Sequence, residues 1–189
     1  MNQETLKELF IEQIRDVFDA EKQLVKALPK LAKAAESEEL AEALRSHLAE
    51  TQNHVTRLEE VFGIVGMAAK GKPCKGMKGL IEEGSEAVQE EEKGSLRDLA
   101  IIAGAQRVEH YEMSAYGTAR TIAEQLDLND AVELLQQTED EEKEADSKLT
   151  QVAMTLYEST EEEEDREEEM VGASHASRGS AAKTRRATR

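Results

Sequence analysis

FIEQIRDVFDAEKQLVKALPKL, residues 10–31, is the stretch whose reading decides the fold. Its apolar residues step by four and three along one helical stripe, Phe10, Ile14, Val17, then Leu24, Leu28 and Leu31. The place in that rhythm between Val17 and Leu24 belongs to Glu21. An ionised carboxylate in a core position shifts its pKa, pairs with a cation or binds a metal, because burial without compensation costs several kcal/mol. The fold is therefore sought among those that bring other polar groups opposite Glu21.

Composition narrows the class. Only 3% of the 189 residues are aromatic and there are two prolines, while Ala, Leu, Glu, Lys and Gln dominate, which favours an all-α chain with one large core. The formal net charge of -17 argues against non-specific nucleic-acid binding by the body and suits high solubility or a high-salt cytoplasm. A single cysteine, Cys74, excludes an internal disulfide framework and fits a reducing compartment. No apolar run approaches the roughly 20 residues of a membrane-spanning helix. The opening MNQETLKELF lacks the layout of a signal peptide, so a cytoplasmic location is expected.

Start and stop signals divide the chain. Thr5 and Glu8 read as a capping box for the first helix, which runs to about Ala35 with a kink or early end at Pro29. Ser37, followed by Glu38 and Glu39, starts a second helix reaching about Phe62. Residues 63–79 hold five glycines and a proline and read as a connection of little regular structure, followed by a short helix from Leu80 to about Glu92. A linker of that length can cross a bundle end to end, so the second and third long helices are expected to run parallel. Ser95 and Asp98 read as the cap of the third, which ends near Leu126, and the DLND turn makes the fourth, Asn129 to Tyr157, its antiparallel neighbour.

Beyond Tyr157 the core pattern stops. Residues 158–169 hold nine acids against one arginine, and 170–189 hold five Lys or Arg and no acid, so 158–189 is expected to be a disordered tail outside the 1–157 domain. Its end, AKTRRATR, reads as a contact for nucleic acid or another acidic surface, or as a solvated tail.

The other helices answer Glu21 in kind. Leu40, Ala43, His47, Glu50, His54, Leu58 and Val61 share one stripe of the second helix. Leu135, Glu139, Glu142, Asp146, Leu149, Ala153 and Leu156 share one of the fourth, while Leu99, Ile102, Gln106, Glu109, Glu112 or Met113, and Tyr116 line the equivalent face of the third, where Glu109 and Glu112, three apart, can both point inward. Glu21 precedes Glu112 by 91 residues, and Glu50 and His54 precede Glu142 and Asp146 by 92. Two related hairpins would bring these sets together as the ligands of a dinuclear carboxylate centre. Carboxylates offset the repulsion of two close divalent cations and can bridge them, and imidazole favours transition metals over magnesium or calcium.

Taken singly, any of these acids reads as a solvated face or a salt-bridge partner in a chain that is 34% charged, and Glu139, Glu141 and Glu144 are read that way. His47 stays open between ligand, a donor behind the ligands and a hydrogen-bonded core histidine, whereas His110 is expected to point away. Tyr111 and Tyr116 flank the acids, to pack or to serve the site. Cys74 is either a redox-sensitive thiol or incidental. No phosphate-binding loop, dinucleotide fingerprint or nucleophile elbow is present.

VEHYEMSAYG at 108–117, together with GLIEEGSE, HLAETQNHVTRLE, DAEKQLVKALPKLAKAA and EEKEADSKLT, resembles the YciE/YciF family of stress-associated proteins in the ferritin-like superfamily, over about residues 5–157. The resemblance implies a ferritin-like four-helix bundle, a di-iron site and a homodimer. It implies terminal carboxylates at Glu21 and Glu112, bridging ones at Glu50 and Glu142, second ligands at His54 and Asp146, and an additional glutamate at Glu109. Ferritin-like sites usually carry E-x-x-H in helices two and four, whereas this chain spaces both pairs by four and has Asp146 in place of a histidine. The activity expected is oxidation of Fe(II) by dioxygen or peroxide, the alternatives being a dimanganese peroxide scavenger or a non-catalytic interaction protein.

Overall fold

A computed structural model of the chain describes residues 2–90 and 93–184, with backbone alone at residue 90 and residues 161–184. All regular structure among them is helical: α1 Gln3–Ala34, α2 Glu38–Ile64, α3 Lys75–Glu90, α4 Ser95–Gln125 and α5 Asn129–Thr184. Residues 1–152 form one compact unit and residues 153–189 another. The first contains every residue discussed below as a site.

Four long helices share one core. Phe10, Ile14, Val17 and Phe18 of α1 meet Leu58, Val61 and Phe62 of α2, Tyr116, Ala119 and Ala123 of α4, and Ala131 and Leu135 of α5. Phe18 and Phe62 cross edge to face at 5.5 Å. The start of α1 thus meets the ends of α2 and α4, so α1 and α2 are antiparallel and α2 and α4 run parallel, as the long connection requires. At the far end Leu24, Leu28, Leu40, Leu44, Ile101, Ile102, Leu149 and Val152 are buried as well. The polar residues of the seams lie between these two apolar ends.

The helix boundaries correct several expectations. Asn2, not the Thr5/Glu8 pair, caps α1, its side chain accepting from the Glu4 N–H at 3.1 Å. An earlier cap of equal strength adds helix without disturbing the apolar stripe. Pro29 does not end α1, which continues to Ala34; a proline near the end forfeits one carbonyl partner. Ser37 caps α2 as expected, accepting from the Leu40 N–H. Asp127, at φ 55°, supplies the left-handed residue that closes α4 in the DLND turn.

The Ser95/Asp98 capping box does not form. Gly94, at φ 127°, precedes α4 without a side-chain cap. The Asp98 carboxylate, 1% exposed, turns to the other hairpin and accepts from the backbone N–H groups of Glu36 at 2.9 Å and Ser37 at 2.7 Å. The α1–α2 turn offers two unpaired donors at the same depth, and a carboxylate that receives both leaves less unsatisfied than one that caps its own helix.

The glycine-rich connection is irregular from residue 67 to 74 but closely held. Lys72 N–H bonds the Arg15 carbonyl at 3.0 Å, Cys74 N–H bonds Asp19 at 2.8 Å, and Gln23 reaches the Cys74 carbonyl at 3.0 Å. Gly76 lies so near Tyr111 that a Cβ there would stand 2.9 Å from the ring. The short helix therefore starts at Lys75, not Leu80. Cys74 is 2% exposed with its Sγ 2.9 Å from the Tyr111 hydroxyl, which also donates to Asp16 at 2.7 Å. This thiol is part of the packing.

Tyr157 lies close to the end of the first unit, but α5 does not stop there: its backbone is helical to Thr184. Glu, Ala, Met and Arg favour helix whether or not they bury a core. The final residues of the expected tail, 185–189, lie outside the described residues.

Replacing Asp98 with Ala should cost about 2 kcal/mol, because two buried N–H groups lose a charged acceptor. Ser95→Ala, at a position with no capping role, should change stability by less than about 0.5 kcal/mol. Thermal unfolding followed by circular dichroism checks the contrast.

Candidate metal centre

Between the two apolar ends, four carboxylates and two imidazoles converge from all four long helices. Glu21 of α1, His54 of α2 and Glu142 of α5 form one group, and His47 of α2, Glu109 and Glu112 of α4 and the same Glu142 form another. Within each group one donor atom per residue lies within 4.8 Å of every other. None of the six is more than 6% exposed.

The contacts inside the cluster are close but poorly aligned. His54 Nδ1 stands 3.0 Å from Glu142 and 3.5 Å from Glu21, and His47 Nε2 stands 3.4 Å from Glu109 and 4.0 Å from Glu142. Even so, both His47 nitrogens, His54 Nδ1, both oxygens of Glu112 and Glu142, and one oxygen each of Glu21 and Glu109 have no hydrogen-bond partner. Among the described residues every buried side-chain N or O so orphaned belongs to these six. At about 1–3 kcal/mol for each such group, nine of them would consume a stability that for a whole domain is only about 5–15 kcal/mol. Protons or a cation must occupy the space between them.

The surroundings hold the donors in place. His54 Nε2 lies 2.9 Å from Glu141, and that carboxylate is gripped by both terminal nitrogens of Arg57, one at 2.8 Å. With Nε2 donating to Glu141, the neutral ring presents its Nδ1 lone pair to Glu21 and Glu142, the arrangement by which a carboxylate behind a histidine orients it toward a metal. Tyr116, fully buried, donates its hydroxyl to Glu21. His47 Nδ1 faces Glu50 at 3.6 Å.

Burial pushes the carboxyls of Glu21, Glu109 and Glu112 upward, most strongly for the last two, with neighbouring carboxylates adding to the rise. Burial alone would lower the two histidines, but the acids around them prevail. Glu109, then Glu50 and Glu142, raise His47 to about 9, while Glu142 and Glu21 raise His54 to about 11. Without a cation the cluster thus retains protons at neutral pH.

Of the residues expected from sequence, Glu21, His54, Glu109, Glu112 and Glu142 come together. Glu50 and Asp146 do not join the cluster. Glu50 keeps 42% of its side chain exposed beside His47. Asp146 takes a hydrogen bond from Gln106 at 3.0 Å and lies 3.5 Å from the exposed His110, on the flank between α4 and α5. Gln106 holds it there, and the second imidazole of the cluster is His47 of α2. Glu139 pairs with Arg120 and Lys143, as expected of a salt-bridge partner. Glu141, assigned the same part, does pair with Arg57 and also holds His54. Arg57, three residues after His54 on the same helix, was the available hint.

These features can be set beside known proteins. The sequence pattern described as a domain of unknown function, DUF892, matches residues 5–163. The chain belongs to this family. It is 44% identical over 155 residues to Protein YciF of Escherichia coli strain K12, covering 82% of this chain and 93% of that protein. The crystal structure of the E. coli stress protein YciF superposes with a TM-score of 0.78 at 43% identity, over 81% of this chain and 97% of that one. YcfI of Rhodopseudomonas palustris gives 0.75 at 41%, over 77% and 92%. A protein of Xanthomonas campestris gives 0.64 at 14% identity and shares the fold, over 85% and 99%. The resemblance to YciF carried by VEHYEMSAYG and the motifs around it thereby holds across most of this chain.

Groups whose folded pKa is raised contribute stability that is complete below their unfolded values and lost as pH climbs to the folded ones. For the metal-free chain that loss begins near 4.5 with the acids and spans 6.5 to about 9 for His47. Its Tm, read by circular dichroism in the presence of chelator, should fall from pH 6.5 to 9, and Glu112→Gln should flatten the decline. A metal-free Tm that rises over this interval would contradict the clustered arrangement.

Proposed function

We propose that this chain is a ferritin-like four-helix bundle holding a dinuclear metal centre, and that it oxidises Fe(II) with dioxygen or peroxide in a stress-protective role. The observation that carries the reading is the orphaned set itself. Among the described residues the buried side-chain N and O atoms without partners all belong to six residues, which divide into two groups sharing Glu142. Four carboxylates match the charge of two divalent cations, and two neutral imidazoles add affinity for transition metals.

In this reading Glu142 would be shared by the two positions, with Glu21 and His54 holding one and His47, Glu109 and Glu112 the other. Glu50, at the open edge, orients His47. A pair of iron ions bound there would supply electrons to dioxygen or peroxide. The chain's own part is to hold six ligand residues in a rigid frame and to release protons as a cation binds, so metal affinity rises with pH. Tyr116 fixes Glu21 Oε1, the oxygen 3.5 Å from His54 Nδ1, and leaves Oε2 buried without a partner.

The non-catalytic alternative would be favoured by lysine or arginine side chains entering the bundle. Among the described residues the ion pairs of the six involve only one another, Glu50 and Glu141, and Arg57 stops at Glu141. A cytoplasmic homodimer is part of the same proposal.

Protein purified without chelator should carry close to two metal ions per chain by elemental analysis, with iron in excess of manganese. Glu142→Ala should abolish saturable Fe(II) oxidation measured by ferric absorbance; a rate equal to wild type removes the enzymatic claim. Glu141→Gln should weaken metal binding by about 10- to 100-fold by loosening His54, which equilibrium titration with Co(II) would measure.

A further inference from the structure

A cavity of about 640 Å³ opens between α2 and α5 and ends on the cluster. Its walls carry Glu38, Glu39, Glu42, Glu50, Glu141 and Glu144, with Lys148 as the one basic residue among those lining it. At its inner end are His47 and Glu109, 6% and 1% exposed. Both His47 nitrogens and one Glu109 oxygen there lack a hydrogen-bond partner. An acidic surface alone would be ordinary in a chain of this charge. An acidic cavity that terminates on buried, unpartnered metal-ligand atoms is not.

The geometry points to this cavity as the entry vestibule for divalent cations, with the wall glutamates as a transient binding surface and His47 with Glu109 as the receiving pair. The inference rests on the metal-centre reading proposed above. Neighbouring bases offset part of the wall charge. Arg45 bonds Glu38 at 3.0 Å and Glu42 at 2.8 Å, Arg57 grips Glu141, and Lys148 approaches Glu39 at 3.7 Å. Six acids against these three bases still leave a negative excess. Glu144 has no ion pair among the described residues, and Glu50 faces only His47.

A cleft lined by one sign of charge concentrates counter-ions and accelerates their arrival by about 10- to 1,000-fold, an effect that salt removes. The volume admits a cation together with its inner shell of water, at about 30 Å³ per water. The six buried donors, shut off by the apolar ends of the core, need such an approach to be reached at all. Glu50 stands where the water shell would be exchanged for protein ligands, beside the first imidazole.

The test is stopped-flow binding of Co(II) to metal-free full-length protein, with equilibrium titration of the same samples. Two variants address the vestibule. Glu39→Lys with Glu144→Lys reverses wall charge, and Ala145→Trp narrows the cavity. Glu59→Lys with Glu60→Lys, exposed and further along α2, changes net charge equally away from it. The wall variant should slow association about 10-fold at low ionic strength, with the difference lost in about 1 M salt. The narrowed variant should slow association and release together, leaving the Kd within about twofold of wild type. Equal slowing by the wall and distant pairs, or wild-type association in the narrowed variant, overturns the vestibule even if Co(II) binds tightly. Absence of saturable Co(II) binding in wild type, or binding that survives Glu142→Ala unchanged, instead overturns the metal centre on which it depends.

Discussion

The rest of the structure depends on the burial of four carboxylates at the middle of the helical core, Glu21 of α1, Glu109 and Glu112 of α4 and Glu142 of α5. Such groups cannot remain ionised, unpaired and dry together, since the penalty is several kcal/mol for each ion. Two outcomes relieve it. Protons neutralise the acids, as the raised pKa values of Glu21, Glu109 and Glu112 express, or cations take the protons' place. The imidazoles serve both outcomes, as charged partners in the first and as ligands in the second.

The framework around the cluster is built to resist collapse. Apolar ends above and below keep the helices apart at a fixed spacing. The Asp98 carboxylate ties α4 to the α1–α2 turn, and the Arg57–Glu141 pair fixes the His54 ring from behind. The connection along α1, held at Arg15, Asp19 and Gln23, carries the chain to α3 without cutting across the cluster. Each of these contacts joins elements distant in sequence. Together they make the donor positions a property of the whole core and not of any single helix, which is how rigid metal sites are obtained.

The chain belongs to the DUF892 family and is closely alike in sequence and fold to YciF, described as a stress protein of E. coli. The more distant Xanthomonas likeness adds only that this fold outlasts most of its sequence. The proposed chemistry rests on the six side chains and on the acidic cavity that reaches two of them.

Helical periodicity was enough to place Glu21, His54, Glu109, Glu112 and Glu142 on inward stripes, because a 3.6-residue repeat converts spacing directly into a face. The all-helical class, the parallel course of α2 and α4 and the Ser37 cap followed from equally local rules. What periodicity could not resolve was rotation within a stripe and the partners across helices. Glu50, His47 and His54 share one face of α2, and only packing against α4 and α5 turned His47 inward and left Glu50 at the edge. Asp146 was displaced by Gln106, a residue 40 positions earlier, and Asp98 left its own helix for the backbone of another hairpin. Sequence by itself determined that acids and histidines had to be buried; tertiary structure decided which of them meet, because hydrogen bonds between remote elements compete for each side chain on the same face.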